Sequence, residues 1–463
     1  VWWADIVAAV RNVQATAGVA PKDIGALGVS SFFPAVVPLA SDGTPIRPAI
    51  MYNDQRSVPQ VDRLVRRFGR DAIETAIGNT LAPGTSAVTS IRWLYDNEPK
   101  TVAACSVFGF ANSFVTSRLT GRAVTDTSNS ALSGLVDIRD PWHWSAKLCA
   151  DFRVDQEKLP PVLEAPSIVG TLTDSAASAL GLSAHVQVAV GCGDTQASTV
   201  GAGVVGEPTV VYIAGSTDCV TIPMQSPTTD LRWINAGHVV PDRWLGIGST
   251  SAAGASVDWF VRHFLPGADG HERMVRLAKG ASTDVPPVLY LPYLAGERTP
   301  LWDPQATGVF FGLTASAGLE HLARGVFEGT AFALRDVITC LEEITPEGVG
   351  DIVAAGGGAR NGFWNQVKAN ALQKPLRVCD TGESGCKAAA LLAGVGSGVF
   401  PSVEQAAESV RATLTYHAVE PDECFADYYD GLFDAYQSLY RNTRELMHRI
   451  PQLRNPIRDG GDG

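Results

Sequence analysis

Short apolar runs alternate with longer stretches of helical spacing along most of this chain. Ile24–Ser30 reads as a buried strand, and Val36–Leu39 as its partner before the Ser41-Asp42-Gly43 turn. Val186–Val190 is a short apolar strand that stops at Gly191-Cys192-Gly193-Asp194. Thr209–Ile213 stops similarly at Gly215-Ser216-Thr217-Asp218. Trp233–Val240 and Arg243–Ile247 flank a Pro241-Asp242 turn and predict a hairpin, and Val288–Leu294 is a further strand. Leu319, Leu322, Val326, Phe327, Leu334, Val337, Ile338 and Leu341 fall on one face of a helix. Gly325 and Gly329, four apart on it, predict the close approach of a neighbouring helix. Ile352–Ala355 runs into three glycines and then a helix from about Asn361. A last amphipathic helix covers Tyr428–His448, followed by a Gly/Asp tail expected to be disordered. No fixed-period repeat is visible. The alternation predicts two α/β domains with sheets flanked by helices. Gly201, Gly203, Gly206 and Pro208 mark the connection between them, giving domains at 1–205 and 206–450 and a tail at 451–463.

Composition narrows this picture. A length of 463 residues admits two or three domains, and 45% hydrophobic with 18% charged residues is the balance of a soluble globular protein. The formal charge of −12 argues against nucleic-acid or anionic-membrane partners, while leaving room for an anionic nucleotide bound locally by backbone N–H groups. Eight cysteines without a CxxC pair, and eight histidines without HExxH, indicate neither a disulfide framework nor a zinc site. They read as free thiols of a reducing cytoplasm. No apolar run is long enough to span a bilayer. The chain opens at Val1-Trp2-Trp3, in what reads as mid-helix, without an initiator Met or a signal peptide, so preceding sequence is expected.

Three strand ends carry candidate chemistry. Asp194, at the tip of a strand and flanked by glycines, suits a general base that a substrate must approach closely. Asp after glycine is equally a common turn or helix N-cap residue. Gly215-Ser216-Thr217 offers hydroxyls and free N–H groups for phosphate oxygens. Gly356, Gly357 and Gly358, between a buried strand and a helix N-terminus, allow a flat ligand to lie against backbone. Neither GxGxxG nor GxxxxGK[ST] spacing is present, which argues against a dinucleotide fold or a Walker loop.

In chain order, GVSSFFPAVVPLASDGTPIRPAIMYNDQR, VAVGCGDTQASTVGAG, IAGSTD, GERTPLWDPQATGVFFGL, AAGGGARNGFWNQVKANAL and ESGCKAAALLAG resemble the motifs of the FGGY carbohydrate kinases, over nearly the whole chain. Within that family the likeness is greatest to the xylulokinases. The resemblance implies two actin/hexokinase-like (ribonuclease H-like) domains with a ligand cleft between them, sugar in the first and nucleotide in the second. It implies ATP and Mg²⁺, and phosphorylation of a sugar hydroxyl, D-xylulose to D-xylulose 5-phosphate as the leading case. Gluconate, ribulose, glycerol or a tetritol are the rival substrates, and a catalytically silent sugar-binding relative is the rival class. Asp194 would be the base, with a water-mediated contact to the metal. Phe33, Pro34, Asn53, Asp54 and Thr195 would approach the sugar. Gly215, Ser216, Thr217 and Gly312 would contact phosphate, and Gly356, Gly357, Gly358 and Asn361 would hold adenosine. Arg298 would either pair with Glu297 as a structural tie or act in catalysis. A cytoplasmic enzyme, possible as a homodimer, without nucleic-acid or membrane partners, completes what the resemblance implies.

The sequence departs from the family in three places. The opening Asp-x-Gly-Thr/Ser hairpin has no match, so these residues alone are expected to be inactive or badly impaired. Phe32-Phe33-Pro34-Ala35 stands where xylulokinases usually show Gln-Met-His-Gly, removing an imidazole that would recognise a hydroxyl. Asp218 and Lys387 each replace a glycine. A carboxylate near phosphate needs a cation. Lys387 is one candidate, and a solvated helix-start lysine is its alternative reading.

Overall fold

The computed structural model describes residues 1–206, 208–345, 348–379 and 382–453. Its internal contacts divide the chain into two compact units. The first comprises Val1–Glu207, Thr221–Ile247 and Thr381–Leu414, and the second Pro208–Val220, Gly248–Asp380 and Thr415–Gly463. This interleaved division differs from the continuous one expected at 205/206, because two later segments pack back onto the first unit. The helix Ser384–Gly396 lies so close to the helix Asp194–Gly201 that a Cβ on Gly201 would come within 2.0 Å of the Ser384 carbonyl oxygen.

In the first unit, Ala26–Leu27 runs parallel to Gln187–Ala189, which pairs antiparallel with Ile168–Thr171. The chain then steps sideways, and Ser30–Ser31 pairs in parallel with Cys192–Gly193. The step is set by Gly191, whose φ of +75° turns the backbone past Val29. The expected strand at 24–30 is therefore broken in two, and Val36–Leu39 is not its partner. Ala35–Leu39 is instead buried at all five positions between Ile50–Met51 and Val107–Gly109, both antiparallel to it. Around it Val36, Ile50, Val88, Ile91, Phe108 and Phe110 share one core. The hairpin expected across Pro241-Asp242 is present, paired from Ile234↔Ile247 to Gly237↔Trp244.

In the second unit, Val210–Ala214, Ile352–Ala355 and Leu376–Cys379 lie parallel, and Tyr416–Val419 closes the row antiparallel to Leu376–Cys379. The near-continuous apolar run of the first two strands fits burial on both faces. Leu319–Ile344 forms the long helix its periodicity predicts. The close neighbour of its glycines is a strand and not a helix. A Cβ on Gly325 would meet the Val288 carbonyl oxygen at 2.5 Å, and one on Gly329 that of Tyr290 at 2.1 Å. Phe260, Leu291, Phe327, Phe332, Trp364 and Tyr436 fill the core that this helix shares with Ala426–Arg449. Each such side chain is worth roughly 1.5–3 kcal/mol when taken from water. The expected tail falls mostly outside the described residues, at 454–463.

No disulfide joins the described cysteines, and burial pushes the thiols of Cys105 and Cys149 up to about 11. Among the described residues, no helix is long and apolar enough to cross a membrane.

Candidate active site

In the first unit the strand Cys192–Gly193 delivers Asp194 to the first position of the helix Asp194–Gly201. The residue is exposed, yet its carboxyl lies close enough to protein atoms for desolvation to raise its pKa. The N–H and hydroxyl of Thr195 pull it partly back. The Thr195 hydroxyl donates weakly to Asp194 Oδ1 at 3.4 Å. Gly193 keeps the approach narrow, since a Cβ there would stand 2.4 Å from the Phe33 ring. The structure thus brings Phe33 beside the strand tip that bears Asp194. Pro34 is buried behind it.

Asn53 is exposed. Asp54 is committed to Arg56, which approaches its two carboxylate oxygens at 2.9 and 2.8 Å and holds its pKa below the usual range. The Arg56 guanidinium in turn sits 4.8 Å from the centroid of the Trp93 ring. Asp54 is therefore an ion-paired turn residue in this conformation.

One buried network escaped the sequence reading. Thr125–Ser130 is a wholly buried polar run, with Asp126 at its centre. Asp126 accepts from Ser128 N at 2.9 Å, from the Ser128 hydroxyl, from Asn129 Nδ2 at 2.8 Å and from Asn112 Nδ2 at 2.9 Å. Ser128 Oγ accepts the Gly193 N–H at 2.9 Å. The available signal was a polar stretch, Thr-Asp-Thr-Ser-Asn-Ser, with no basic residue to make it a solvated surface.

In the second unit, the loop after the strand Val210–Ala214 is zipped to a second loop. Gly254 N donates to Gly215 O at 3.1 Å and Ala255 N to Ser216 O at 2.9 Å. Asp218 N donates to Thr250 Oγ1 at 3.1 Å, and Thr250 N returns to Asp218 O at 3.0 Å. The Gly296–Pro300 corner closes on the same loop. Arg298 Nη2 donates to Thr250 O at 2.6 Å, and Glu297 Oε1 accepts the N–H groups of Ser251 and Arg298 at 2.6 and 2.7 Å. In this conformation Arg298 ties the corner to the Thr250 loop.

Gly356, with φ of +92°, lies against Ala214, whose carbonyl oxygen a Cβ would meet at 2.7 Å. A Cβ on Gly357 would meet nothing within 4 Å, so this backbone is open to a flat ligand. Asn361 caps the helix Gly362–Leu372, accepting Trp364 N at 3.1 Å. Gly312, with φ of +88°, ends the strand Val309–Phe311.

Asp218 is fully buried and faces Tyr212 and Lys368. Burial pushes its carboxyl up to about 6 while Lys368 pulls it back, and the same burial brings Lys368 down to about 8. The cation that answers Asp218 is thus Lys368, and not Lys387 as one sequence reading had it.

A solvent-facing carboxylate at one strand end, and hydroxyl-bearing glycine turns at others, are parts suited to moving a phosphoryl group onto an alcohol. Comparison with known proteins gives the family. Residues 1–201 match the FGGY family of carbohydrate kinases, N-terminal domain, and residues 210–397 match the FGGY family of carbohydrate kinases, C-terminal domain. The chain is 28% identical to the xylulose kinase of Bacillus subtilis strain 168, covering 98% of this chain and 90% of that protein. It is 30% identical to the xylulose kinase of Escherichia coli K12, covering 79% of this chain and 74% of that protein. The crystal structure of xylulose kinase from Rhodospirillum rubrum superposes with a TM-score of 0.86 at 26% identity, covering 96% of this chain and 90% of that one. This chain belongs to the FGGY family of carbohydrate kinases. It is an ATP-dependent sugar kinase of the actin/hexokinase-like fold.

Proposed function

We propose that the protein phosphorylates D-xylulose to D-xylulose 5-phosphate from Mg·ATP, with Asp194 as the general base. The observation that carries the mechanism is the exposed Asp194 carboxylate at a strand tip, bound only weakly by Thr195 and free to accept a proton. In the proposed step the sugar oxygen attacks the γ-phosphorus of ATP, and its proton passes to Asp194. The bond from that phosphorus to the β–γ bridging oxygen breaks, and ADP leaves. Gly215, Ser216, Thr217 and Gly312 contact phosphate in this reading. Gly356, Gly357, Gly358 and Asn361 line the adenosine. The open backbone at Gly357 favours that last role.

Among the described residues no group of three acidic, His or Cys side chains could hold a metal by itself. Mg²⁺ would be held with the nucleotide phosphates and would supply charge neutralisation there, and Asp194 would hold it through a water. In this reading the first unit, Val1–Glu207 with two later segments, binds sugar and the second unit binds nucleotide. Eight cysteines joined by no disulfide among the described residues, and the need for ATP, support a cytoplasmic setting.

The choice of xylulose rests on the relatives named xylulose kinase. A specific observation favours a second reading. Phe33 and Pro34 stand in a segment where an imidazole is usual, and the Phe33 ring, against Gly193 just before the base, offers a face and no hydrogen bond, which suits a differently substituted sugar or polyol. A coupled ADP-release screen of the full-length gene product across pentuloses, aldonates and polyols decides between them. Turnover is expected with xylulose, and turnover only with another acceptor would overturn the substrate assignment.

A further inference from the structure

Among the described residues the strand Cys192–Gly193 has one strand neighbour, Ser30–Ser31. Cys192 N points to that neighbour and donates to Val29 O at 3.0 Å. Strand alternation turns the next N–H, that of Gly193, to the opposite side, where no strand of the described residues pairs with it. Ser128 Oγ meets it there at 2.9 Å. The Ser128 hydroxyl proton is itself fixed, because it donates to Asp126 Oδ2.

The polarity of this chain is set by Asp126. Two oxygens receive four donors, Ser128 N and Oγ on one and Asn112 Nδ2 and Asn129 Nδ2 on the other. That is the acceptor-only pattern of an ionised carboxylate. Burial raises the pKa of this carboxyl, and the hydrogen bonds from Ser128 and Asn129 pull it only partly back. An ionised Asp126 forces the Ser128 hydroxyl to point its proton inward and its lone pair at Gly193. The backbone so held is the residue immediately before the base, at a position where the Phe33 ring closes the other side.

We propose that Asp126, acting through Ser128 on the Gly193 N–H, is a positioning residue for Asp194. The carboxylate holds the strand tip in the one pose from which Asp194 reaches the acceptor hydroxyl. This inference rests on Asp194 as the base. A displacement of the base on the order of 1 Å is enough to cost about 100-fold in rate.

The test uses the full-length gene product and four variants: Asp126→Asn, Ser128→Ala, Asp194→Asn and the double Asp126→Asn/Asp194→Asn. In Asp126→Asn an NH2 replaces one carboxylate oxygen, so the residue can no longer accept all four donors and no longer carries the charge that orders them, with little change in volume. The expected result is a kcat about 10- to 100-fold lower, with KM for sugar and for ATP within about twofold of the parent. Ser128→Ala, which leaves the folded carboxylate cluster otherwise intact, should lower kcat in the same way and covers the case of an unfolded Asp126 variant. In the Asp194→Asn background, Asp126→Asn should change residual turnover less than about threefold, since no base remains to be placed. An unchanged kcat in Ser128→Ala, or an equal loss from Asp126→Asn in both backgrounds, would overturn the proposal. Near-parental turnover in Asp194→Asn would instead sink the base assignment, so the two failures are distinguishable.

Discussion

The ammonium nitrogen of Lys368 lies 3.4 Å from the centroid of the Trp364 ring, one helical turn earlier on Gly362–Leu372. It is also 4.9 Å from the ring of Tyr212, and it is wholly buried. Two aromatic faces contact this cation and the Asp218 carboxylate acts on it through its charge, while neither Nζ nor the Asp218 carboxylate oxygens make a hydrogen bond among the described residues. A buried charge left alone is far more costly than a buried pair replaced as a unit. Lys368→Met should therefore destabilise the protein by about 3–5 kcal/mol. The double variant Lys368→Met/Asp218→Asn should recover much of that loss. Urea-unfolding midpoints of the two single variants and the double measure the coupling. Strictly additive effects would show that Asp218 and Lys368 do not depend on each other.

Glu297 gives a pH signature of its own. Oε1 accepts two backbone N–H groups, while Oε2 has no partner among the described residues. Burial raises its pKa from 4.5 to about 7, against the pull of the Arg298 and Ser251 N–H groups. The folded state thus binds this proton more tightly than the unfolded chain. The stability it contributes is present below pH 4.5 and is lost as pH rises through about 7. Glu297→Gln keeps the acceptor and removes the charge, so its Tm relative to the parent should climb between these pH values. A Tm difference that stays flat from pH 4 to about 8 would exclude Glu297 as the titrating group.

The parts of the fold that were legible in the sequence are those fixed locally. The hairpin over Pro241-Asp242, the helix face from Leu319 to Leu341 and the strand entering Gly356 each carry their period or turn in consecutive residues. Partner choice was not legible, because Val36–Leu39 looks the same whichever strand lies beside it. Its true neighbours are set by distant chain, at Ile50–Met51 and Val107–Gly109. The strand-end glycines and Asp194 stood out because backbone approach and a carboxylate at a turn are rare together. Lys368 and Asp126 did not. A lysine at helical spacing and a run of small polar residues are ordinarily solvated, and only tertiary packing buries these two.

Gly329 tests the corrected packing of the long helix. In an exposed helix, Gly→Ala is stabilising by about 1 kcal/mol. Gly431, on the helix Ala426–Arg449, has nothing within 4 Å of an added Cβ and should show that gain. A Cβ on Gly329 would stand 2.1 Å from the Tyr290 carbonyl oxygen, which is backbone and cannot rotate away. Gly329→Ala should destabilise by about 1–3 kcal/mol or more. Opposite signs for the two variants in thermal melts are the expected outcome. A stabilised Gly329→Ala would mean that the strand Leu289–Leu291 does not press on this helix.

Asp194 is where the proposed chemistry meets a single atom. Removing a general base typically costs 10²–10⁴-fold, so Asp194→Asn should lower kcat by about that factor. Nucleotide affinity should change little, because the residue's one proposed link to the nucleotide runs through a metal-bound water. The pH profile adds a check that simple loss of activity does not. Desolvation lifts the Asp194 carboxyl above its ordinary 3.8, and only the ionised form can take the hydroxyl proton. The parent kcat should therefore fall on the acid side along a limb centred above that value. The residual turnover of Asp194→Asn should lack this limb altogether. A parent and variant with the same acid limb would assign the titration to another group and remove Asp194 as the base.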